Sequence, residues 1–407
     1  MDEMALFSNE TSEVPFFPDE EYEARLRNLR QLMTQQNLDA CLISAPENIY
    51  YLSGLSHQGF FAFHLLIVPL EGESCLIARA MERPTVEAQV TNARFTGFDD
   101  GDDPVHITCE VLTEMGLGAG RLGVEKNNLF HLSPRIPGGI VASLPEAEWT
   151  DVSDLVDGLR VIKSPLEQAY TRQAAAVSDA MMRAAIETAR PGVNEREVAA
   201  EVYRTMVLQG GEYPGFGPFI RSTPKLGREH ETWSDRVLSP GDALFLELSG
   251  CVRRYHAPMG RLIFIGKAPP GTRETEQICL EAFDHIVAAV RPGAKASEVY
   301  QAWQNCVDQA GLAHYRRHHC GYTVGIAFPP SWVGGNAVVG LRHDNTMILR
   351  SGMVFHLMSW LMGTGRGEYF VSDTALLTEN GCERLTTGVS QHLHEALGQF
   401  PWDAEES

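Results

Sequence analysis

The sequence predicts a mixed α/β protein with two domains, and three observations support this prediction. The chain has 407 residues, enough for two domains with substantial cores. Helical and strand-like patterns alternate along its first 160 residues. The remainder contains a pattern of two helices followed by two strands, and this pattern occurs twice. We therefore expect an amino-terminal domain at residues 1–160 and a second, pseudo-two-fold domain at residues 161–407.

Short periodic patterns predict the elements of the amino-terminal domain. Apolar residues recur at helical spacing over residues 20–36, and a short buried-strand pattern follows at residues 38–44. Further strand-like runs lie at residues 60–68, 74–79 and 122–125. A group of aromatic residues is expected to pack in the core, and the alternative is that part of it lines a ligand pocket. This group consists of Tyr50, Tyr51, Phe60, Phe61 and Phe63.

The second domain begins with a strong helix-start pattern. Residues Ser164 to Glu167 form a capping box with proline at the first helical position. The predicted helix covers residues 169–189 and stops at Pro191-Gly192. A second helix is predicted over residues 195–208, before a pair of glycines.

An internal repeat is the most informative feature of this domain. Its second copy begins 101 residues after the first, and each copy is followed by a strand pattern. The repeat predicts two halves whose sheets meet in the middle, with Glu247 and Met358 facing each other across the axis. Pockets for small molecules are expected at such an interface. The repeated elements are Arg-Pro-Gly at 190–192 and 291–293, Glu-Val at 197–198 and 298–299, and strands at 241–247 and 352–358.

A strand centred on Glu247 carries the first candidate functional residue. Three leucines alternate with Ala243, Phe245, Glu247 and Ser249, so a strand here places Glu247 among apolar residues on one face. A turn is predicted after Gly250, followed by a returning strand over residues 255–265. A carboxylate among apolar residues is costly unless it is paired or used. This pattern alone leaves open a buried structural ion pair or a catalytic group.

Charge and composition exclude several classes of partner. The net charge of −20 argues against nucleic acid and anionic membrane surfaces as partners. The first 20 residues are acidic and lack an apolar run, and no stretch is long enough for a membrane span. We therefore expect a soluble cytoplasmic protein.

The cysteines and neighbouring histidines do not predict a metal site. Eight cysteines occur without a Cys-x-x-Cys pair, so neither a zinc site nor a disulfide framework is expected. The sequence His318-His319-Cys320 is compatible with metal binding in composition only. Adjacent side chains on a helix or strand point in different directions, which disfavours that interpretation.

Several segments together resemble a known fold family. They are Leu159 to Glu167, the repeated Arg-Pro-Gly-x-x-x-x-Glu-Val, Gly241-Asp242 and Gly352-Met353-Val354. They resemble the pita-bread fold of methionine aminopeptidases, Xaa-Pro dipeptidases and creatinase. The resemblance implies an amino-terminal creatinase/prolidase-like cap domain and a carboxy-terminal pita-bread domain. It also implies a homodimer, since cap domains of such proteins close the site of the partner.

The metal ligands of the related peptidases are largely replaced in this chain. Those enzymes bind two metal ions with two Asp, one His and two Glu. The matching positions here are Glu247, Pro258, Tyr322, Met358 and Ser372. One carboxylate cannot hold two hard divalent ions, so no metal cofactor is expected.

The closest resemblance is to metal-independent ectoine hydrolase and creatinase. It is carried by residues 211–214, 230–235, 247–258, 321–332 and 352–356. It implies hydrolysis of a C–N bond in a small cyclic amide, amidine or guanidino compound, as in ring opening of ectoine to N-acetyl-diaminobutyrate. An Xaa-Pro aminopeptidase-like peptidase and a non-catalytic binding protein remain as alternatives. The chain departs from ectoine hydrolases at Leu55 to Phe61 and at Phe370, which leaves the substrate itself open.

The resemblance and the residue chemistry together give candidate roles. Glu247 is the candidate base or nucleophile, and His230 the candidate proton shuttle, because histidine accepts and donates protons near neutral pH. His256, Tyr322 and His356 are expected to hydrogen-bond an oxyanion or to orient the substrate. For His356 the alternative is a buried core histidine, and for Tyr322 it is simple packing against Trp332. The candidate substrate-binding residues are His256, Tyr322, His356, Trp332, Phe61 and Tyr255.

Overall fold

The structure is a computed structural model that describes residues 16–126, 135–334 and 339–397. It divides into two compact units, Met1–Leu159 and Arg160–Ser407. The acidic amino-terminal segment considered above lies mostly outside the described residues. Within the described ranges, no helix is long and apolar enough to cross a membrane.

The first unit is an α/β domain, as predicted. It has a mixed sheet of six strands in the order β4-β3-β2-β1-β5-β6, in which β1 is parallel to β5 and antiparallel to β2. Apolar side chains of these strands pack against the helices α4 and α5. The elements in chain order are α1 (Asp19–Gln35), β1 (Ala40–Ile43), α2 (Pro46–Ser53), β2 (Leu65–Pro69), β3 (Ser74–Arg79), α3 (Arg83–Gln89), β4 (Ala93–Phe98), α4 (Pro104–Glu114), β5 (Arg121–Val124), α5 (Arg135–Ser143), β6 (Glu148–Asp151) and α6 (Leu155–Arg160).

The predicted aromatic cluster of the first unit is only partly in the core. Tyr50 and Tyr51 are buried residues of α2, as expected. Phe60 and Phe63 are half-buried, and Phe61 is 66% exposed in the short helix Gln58–Phe61.

The second unit contains the predicted repeat. Each half supplies two helices and a pair of long antiparallel strands. The elements are α7 (Pro165–Thr188), α8 (Glu195–Leu208), β7 (Phe219–Ser222), β8 (Ala243–Val252), β9 (Tyr255–Ile265), α9 (Thr272–Ala289), α10 (Ala296–Val307), β10 (Gly321–Thr323), β11 (Val354–Leu361), β12 (Tyr369–Thr378), β13 (Gly381–Arg384) and β14 (His394–Ala396).

The helices that open the first half follow from their capping sequences. The α7 helix begins at Pro165 because Ser164 and Glu167 form the predicted capping box. Asn194 and Glu197 form a second capping box at the start of α8, which has the predicted bounds. The α7 helix thus begins four residues before the predicted range, directly after the N-cap residue Ser164.

One sheet joins the two halves of the repeat. Its strand order is β10-β11-β12-β9-β8-β7, and the halves meet where Gly260 of β9 pairs with Ser372 of β12. Gly260 also pairs with Glu247, and Ser372 pairs with Met358. Glu247 and Met358 therefore occupy equivalent places on either side of the joint, as the repeat predicts.

The two faces of this sheet pack against different parts of the unit. Leu244, Leu246 and Leu248 pack against α7 and α8 on the helical face. Phe245 lies on the other face, in a second apolar cluster that includes Trp332 and Phe370. Because side chains alternate along a strand, Glu247 shares this second face. The predicted separation of the leucines from Glu247 is confirmed.

Candidate functional site

A small cavity lies on the helix-free face of the second unit. Its volume is about 110 Å³, comparable with the roughly 150 Å³ of an engineered protein cavity that binds benzene. It is therefore suited to a small molecule. Its lining residues are Phe219, Arg221, Glu229, His230, Glu247, Arg317, His318, His319, Tyr322, Met358 and Trp360.

Glu247 lies in the wall of this cavity without a close partner. Its side chain is 12% exposed, and its Oε1 lies 3.8 Å from Nε2 of His356. Its carboxylate accepts no hydrogen bond from the described residues. Burial raises the pKa of Glu247 to about 7, although the positive charge of Arg221 acts in the opposite direction.

A second buried carboxyl shows what a structural role looks like in this chain. Burial raises the pKa of Glu125 in the first unit to about 7 as well. Its oxygens nevertheless accept hydrogen bonds from Ala45 N–H at 2.7 Å and from Asn48 Nδ2 at 2.6 Å. These donors tie Glu125 to the start of α2. In the described ranges Glu247 has no such set of donors, which argues against the structural ion pair considered from the sequence.

Two arginines bring positive charge to the same cavity. Arg317 forms an ion pair with Glu229 at 3.1 Å, and its guanidinium lies 4.5 Å from the centre of the Trp360 ring. The guanidinium of Arg221 lies 4.0 Å from the centre of the Phe245 ring. Burial lowers the pKa of Arg221, yet a guanidinium remains charged at neutral pH.

The second half of the repeat contributes a chain of hydrogen bonds. Trp332 Nε1 donates to the Tyr322 hydroxyl at 3.0 Å, and this hydroxyl lies 2.9 Å from His356 Nδ1. His356 Nε2 in turn lies 2.7 Å from Ser372 Oγ. Burial lowers the pKa of His356 to about 3, so the ring is neutral. These hydrogen bonds fix the position of the Tyr322 hydroxyl at the cavity.

His230 lies at the exposed rim of the cavity. Its backbone is left-handed, with φ of 63°, and its ring contacts the rings of Phe216 and Phe219. The sequence predicted it in a polar loop, and the structure brings it to the same cavity as Glu247.

A buried carboxylate holds the loop that carries His230. Glu195 accepts hydrogen bonds from Lys225 Nζ at 2.8 Å and from the Ser234 N–H at 2.7 Å. It also accepts a hydrogen bond from the Ser222 N–H at 3.0 Å. Burial alone would raise the pKa of Glu195, but the hydrogen bonds from Lys225 and both serines outweigh it and lower the pKa to about 2. The first turn of α8 thus anchors both ends of this loop.

The structure does not bring His256 to the cavity. Its Nε2 accepts a hydrogen bond from the Gly215 N–H at 2.9 Å, so Nδ1 carries the proton and donates to Arg254 O at 3.0 Å. Burial, with a contribution from Arg254, lowers the pKa of His256 to about 3. Both ring nitrogens are therefore engaged by the backbone of neighbouring loops, and the histidine supports those loops.

Tyr255 and Trp332 do not line the cavity either. Tyr255 donates a hydrogen bond to Glu167 at 2.7 Å and stacks on Tyr170, at the start of β9. Trp332 is buried, packs edge-on against Phe219 and donates a hydrogen bond to Tyr322, so it supports two lining residues without lining the cavity itself. Phe61 belongs to the first unit, and the lining residues all belong to the second.

Five lining residues with a charged or histidine side chain were not proposed from the sequence as site residues. They are Arg221, Glu229, Arg317, His318 and His319. Arg221 is a charged residue within an apolar strand, the same signal that identified Glu247. His318 and His319 were considered only as metal ligands with Cys320, whose thiol points to Leu341 O instead. Burial and the neighbouring His318 lower the pKa of His319 to about 3.

The donor atoms of the site do not fit a pair of divalent metal ions. Glu247, Met358 and Ser372 lie in one cross-strand row, and Tyr322 lines the same cavity. They supply one carboxylate, one thioether and two hydroxyls, and both hydroxyls are hydrogen-bonded to His356. Hard divalent ions prefer several carboxylates. Among the described residues, the one set of three His, Cys, Asp or Glu side chains within reach of a common ion lies elsewhere, on α9 and α10.

Comparison with known proteins identifies both domains of the chain. The model of metallopeptidase family M24 matches residues 169–379, and that of the creatinase/prolidase N-terminal domain matches residues 25–162. The chain is 29% identical to the ectoine hydrolase of Halomonas elongata, with 91% of this chain and 96% of that protein covered. It is 28% identical to the Xaa-Pro dipeptidase of Pyrococcus furiosus, with 89% and 97% covered.

A solved structure confirms the predicted fold class. The prolidase from Pyrococcus horikoshii superposes with a TM-score of 0.77 at 25% sequence identity, covering 89% of this chain and 98% of that one. The M24 model covers more than half of the chain, including every residue that lines the cavity. The protein therefore belongs to metallopeptidase family M24, with a creatinase/prolidase amino-terminal domain followed by a pita-bread domain.

Proposed function

We propose that the protein hydrolyses a C–N bond of a small cyclic amide, amidine or guanidino compound without a metal ion, with Glu247 as the general base. The observation that carries this proposal is the Glu247 carboxyl, which lies in a small cavity, has a pKa of about 7 and accepts no hydrogen bond from the residues that the structure describes. A general base works best when its pKa lies near the operating pH.

The proposed step uses one water molecule. The Glu247 carboxylate accepts a proton from water while the water oxygen bonds to the substrate carbon. The C–N bond then breaks, and the proton on Glu247 is transferred to the departing nitrogen. The carboxylate is thereby regenerated, and no oxidant, reductant or further reactant is consumed.

Tyr322 and His230 complete the proposed machinery. The Tyr322 hydroxyl is held by Trp332 and His356 at the cavity, where it can donate to the oxygen or nitrogen that gains negative charge. His230 lies at the rim of the same cavity, where it can relay the proton from Glu247 to the departing nitrogen.

The similarity to an ectoine hydrolase and the size of the cavity support a small cyclic substrate. The similarity to Xaa-Pro dipeptidases favours a second candidate, a dipeptidase that cleaves before proline. The poor fit of the donor atoms to two divalent ions argues for the first candidate.

A substrate panel tests the proposal. The panel contains ectoine, creatine, hydantoins, lactams and a set of Xaa-Pro dipeptides, each followed by mass spectrometry with and without added Mn²⁺. We expect one of the non-peptide compounds to gain water without added metal. Hydrolysis confined to the dipeptides would instead support the peptidase, and hydrolysis of no compound by a folded protein would contradict the proposal.

A further inference from the structure

Arg221 is a buried cation whose terminal nitrogens have no acceptor in the described parts of the chain. The residue is 2% exposed and lies in the wall of the cavity. Its Nε donates to Leu226 O at 3.2 Å, and no carboxylate oxygen of the described residues lies within 4.0 Å of its guanidinium. The N–H groups on Nη1 and Nη2 of Arg221 can therefore donate hydrogen bonds to a ligand in the cavity.

Two other buried arginines of the second unit, Arg254 and Arg261, donate hydrogen bonds from all three guanidinium nitrogens. Arg254 donates to Tyr213 O at 2.8 Å and to Ala327 O at 2.7 Å. Arg261 donates from its terminal nitrogens to Asp373 at 3.0 Å and to three carbonyl groups. A buried charge without such partners is costly unless a ligand supplies them. Arg221 differs from both in facing a cavity.

The acidic residues nearest to Arg221 do not supply this partner. Glu229 is bound to Arg317 at 3.1 Å. Glu247 interacts with Arg221 only at longer range, as the two residues are diagonal neighbours on β7 and β8. A carboxylate that bonded to Arg221 would therefore lie beside Glu247, within reach of one small ring.

We propose that Arg221 binds a carboxylate group of the ligand, so that the protein acts on small amides or amidines that carry a carboxylate. The guanidinium presents paired N–H donors that match the two oxygens of a carboxylate. Stacking on Phe245 fixes the plane of the guanidinium before the ligand arrives. Binding of a carboxylate is argued from the cavity and Arg221 alone. That the bound compound is also hydrolysed rests on the proposed function.

Matched pairs of ligands test the proposal. Each pair consists of a ring with a carboxylate and the same ring without it, namely ectoine with its decarboxylated analogue and pyroglutamate with pyrrolidinone. Affinities are measured by calorimetry in the E247Q chain, where the ligand is not consumed. R221Q and R221K are added to this chain, and R228Q serves as a control that makes the same change in net charge at an exposed site.

We expect the carboxylate member of at least one pair to bind at least tenfold more tightly, an effect of about 1.4 kcal/mol. R221Q should remove this preference, R221K should retain part of it, and R228Q should leave it unchanged. Equal affinity within both pairs, a preference that survives R221Q, or no binding by either carboxylate at millimolar concentration would overturn the proposal.

A second measurement keeps the proposal testable if R221Q does not fold. In the E247Q chain itself, acetate should compete with the carboxylate member and not with the neutral member. Absence of this competition would count against the role of Arg221. The failure of the proposed function looks different, because an Arg221-dependent preference without any turnover by the natural chain would refute only the hydrolysis.

Discussion

The two halves of the pita-bread domain have the same backbone and different chemistry. Gly192 N–H donates to Leu238 O at 2.9 Å in the first half, and Gly293 N–H donates to Leu349 O at 2.9 Å in the second. Isolated β-bridges follow at matching places, Asn194 with Val237 and Lys295 with Ile348. The repeat therefore preserves hydrogen bonds of the main chain.

The side chains at equivalent places differ in charge. The first half carries three charged residues that the second half replaces with neutral ones. These pairs are Glu195 and Ala296, Arg221 and Tyr322, and Glu247 and Met358. In the proposed mechanism the first half supplies proton transfer and charge, and the second half supplies a hydrogen-bonded wall. A symmetric scaffold thus carries an asymmetric site.

The largest effect is expected from exchanging the proposed base. E247Q should lower kcat by at least about a thousandfold, since the amide cannot accept the proton from water. M358L changes the equivalent residue of the other half with little change in volume, and kcat should stay within about tenfold. Steady-state kinetics on the compound found by the substrate panel measure both. Equal losses in the two variants would mean that the halves do not differ as proposed.

The next effect concerns the anchor of the His230 loop. E195Q should lower the free energy of unfolding by about 3 to 5 kcal/mol, because Lys225 is left as an uncompensated charge in a largely buried pair. E298Q, in the second half, removes an exposed capping carboxylate and should cost less than about 1 kcal/mol. Urea denaturation compares them. If E195Q lowers the free energy of unfolding no more than E298Q does, Glu195 does not anchor the His230 loop.

The pH dependence of activity is expected to report the pKa of Glu247. Only the ionised carboxylate accepts a proton, so kcat/KM should rise about tenfold per pH unit below pH 7 and level off above it. The dependence of kcat/KM on pH, which reports ionisations of the free protein, is measured in buffers of constant ionic strength. A profile that is flat between pH 5 and 8 would show that the ionisation of Glu247 does not control the rate.

The smallest effect is a change of stability with pH. The folded protein keeps a proton on Glu247 up to about pH 7, whereas the unfolded chain releases it near 4.5, so folding becomes less favourable as pH rises between these values. E247Q lacks this ionisation and should be more stable than the natural chain at pH 8, on the order of 1 to 3 kcal/mol. Thermal unfolding at pH 5 and pH 8 tests this difference. The opposite sign would indicate that Glu247 is stabilised by an ion pair.

The fold was predictable to a large extent because its signals are local. Capping boxes set the starts of α7 and α8, and alternating leucines identify β8 and its buried face. The repeat then fixes which strands are equivalent. These features depend on residues close together in the chain.

The cavity was harder to predict because it is assembled from distant segments. Glu247 was found through its unusual place in an apolar strand, and Arg221 carries the same signal in a strand of only four residues. His256 was placed at the site by its motif, but its two ring nitrogens are used by loops whose positions the sequence does not reveal. Whether Phe61 contacts a ligand stays a prediction from the sequence.

The most direct test of the account is the rate of C–N hydrolysis by the natural chain after exhaustive treatment with a strong chelator, with metal content measured on the same sample. The account predicts an unchanged kcat in protein that holds far less than one metal ion per chain. Loss of activity on chelation, with recovery in proportion to added Mn²⁺ or Co²⁺, would contradict it.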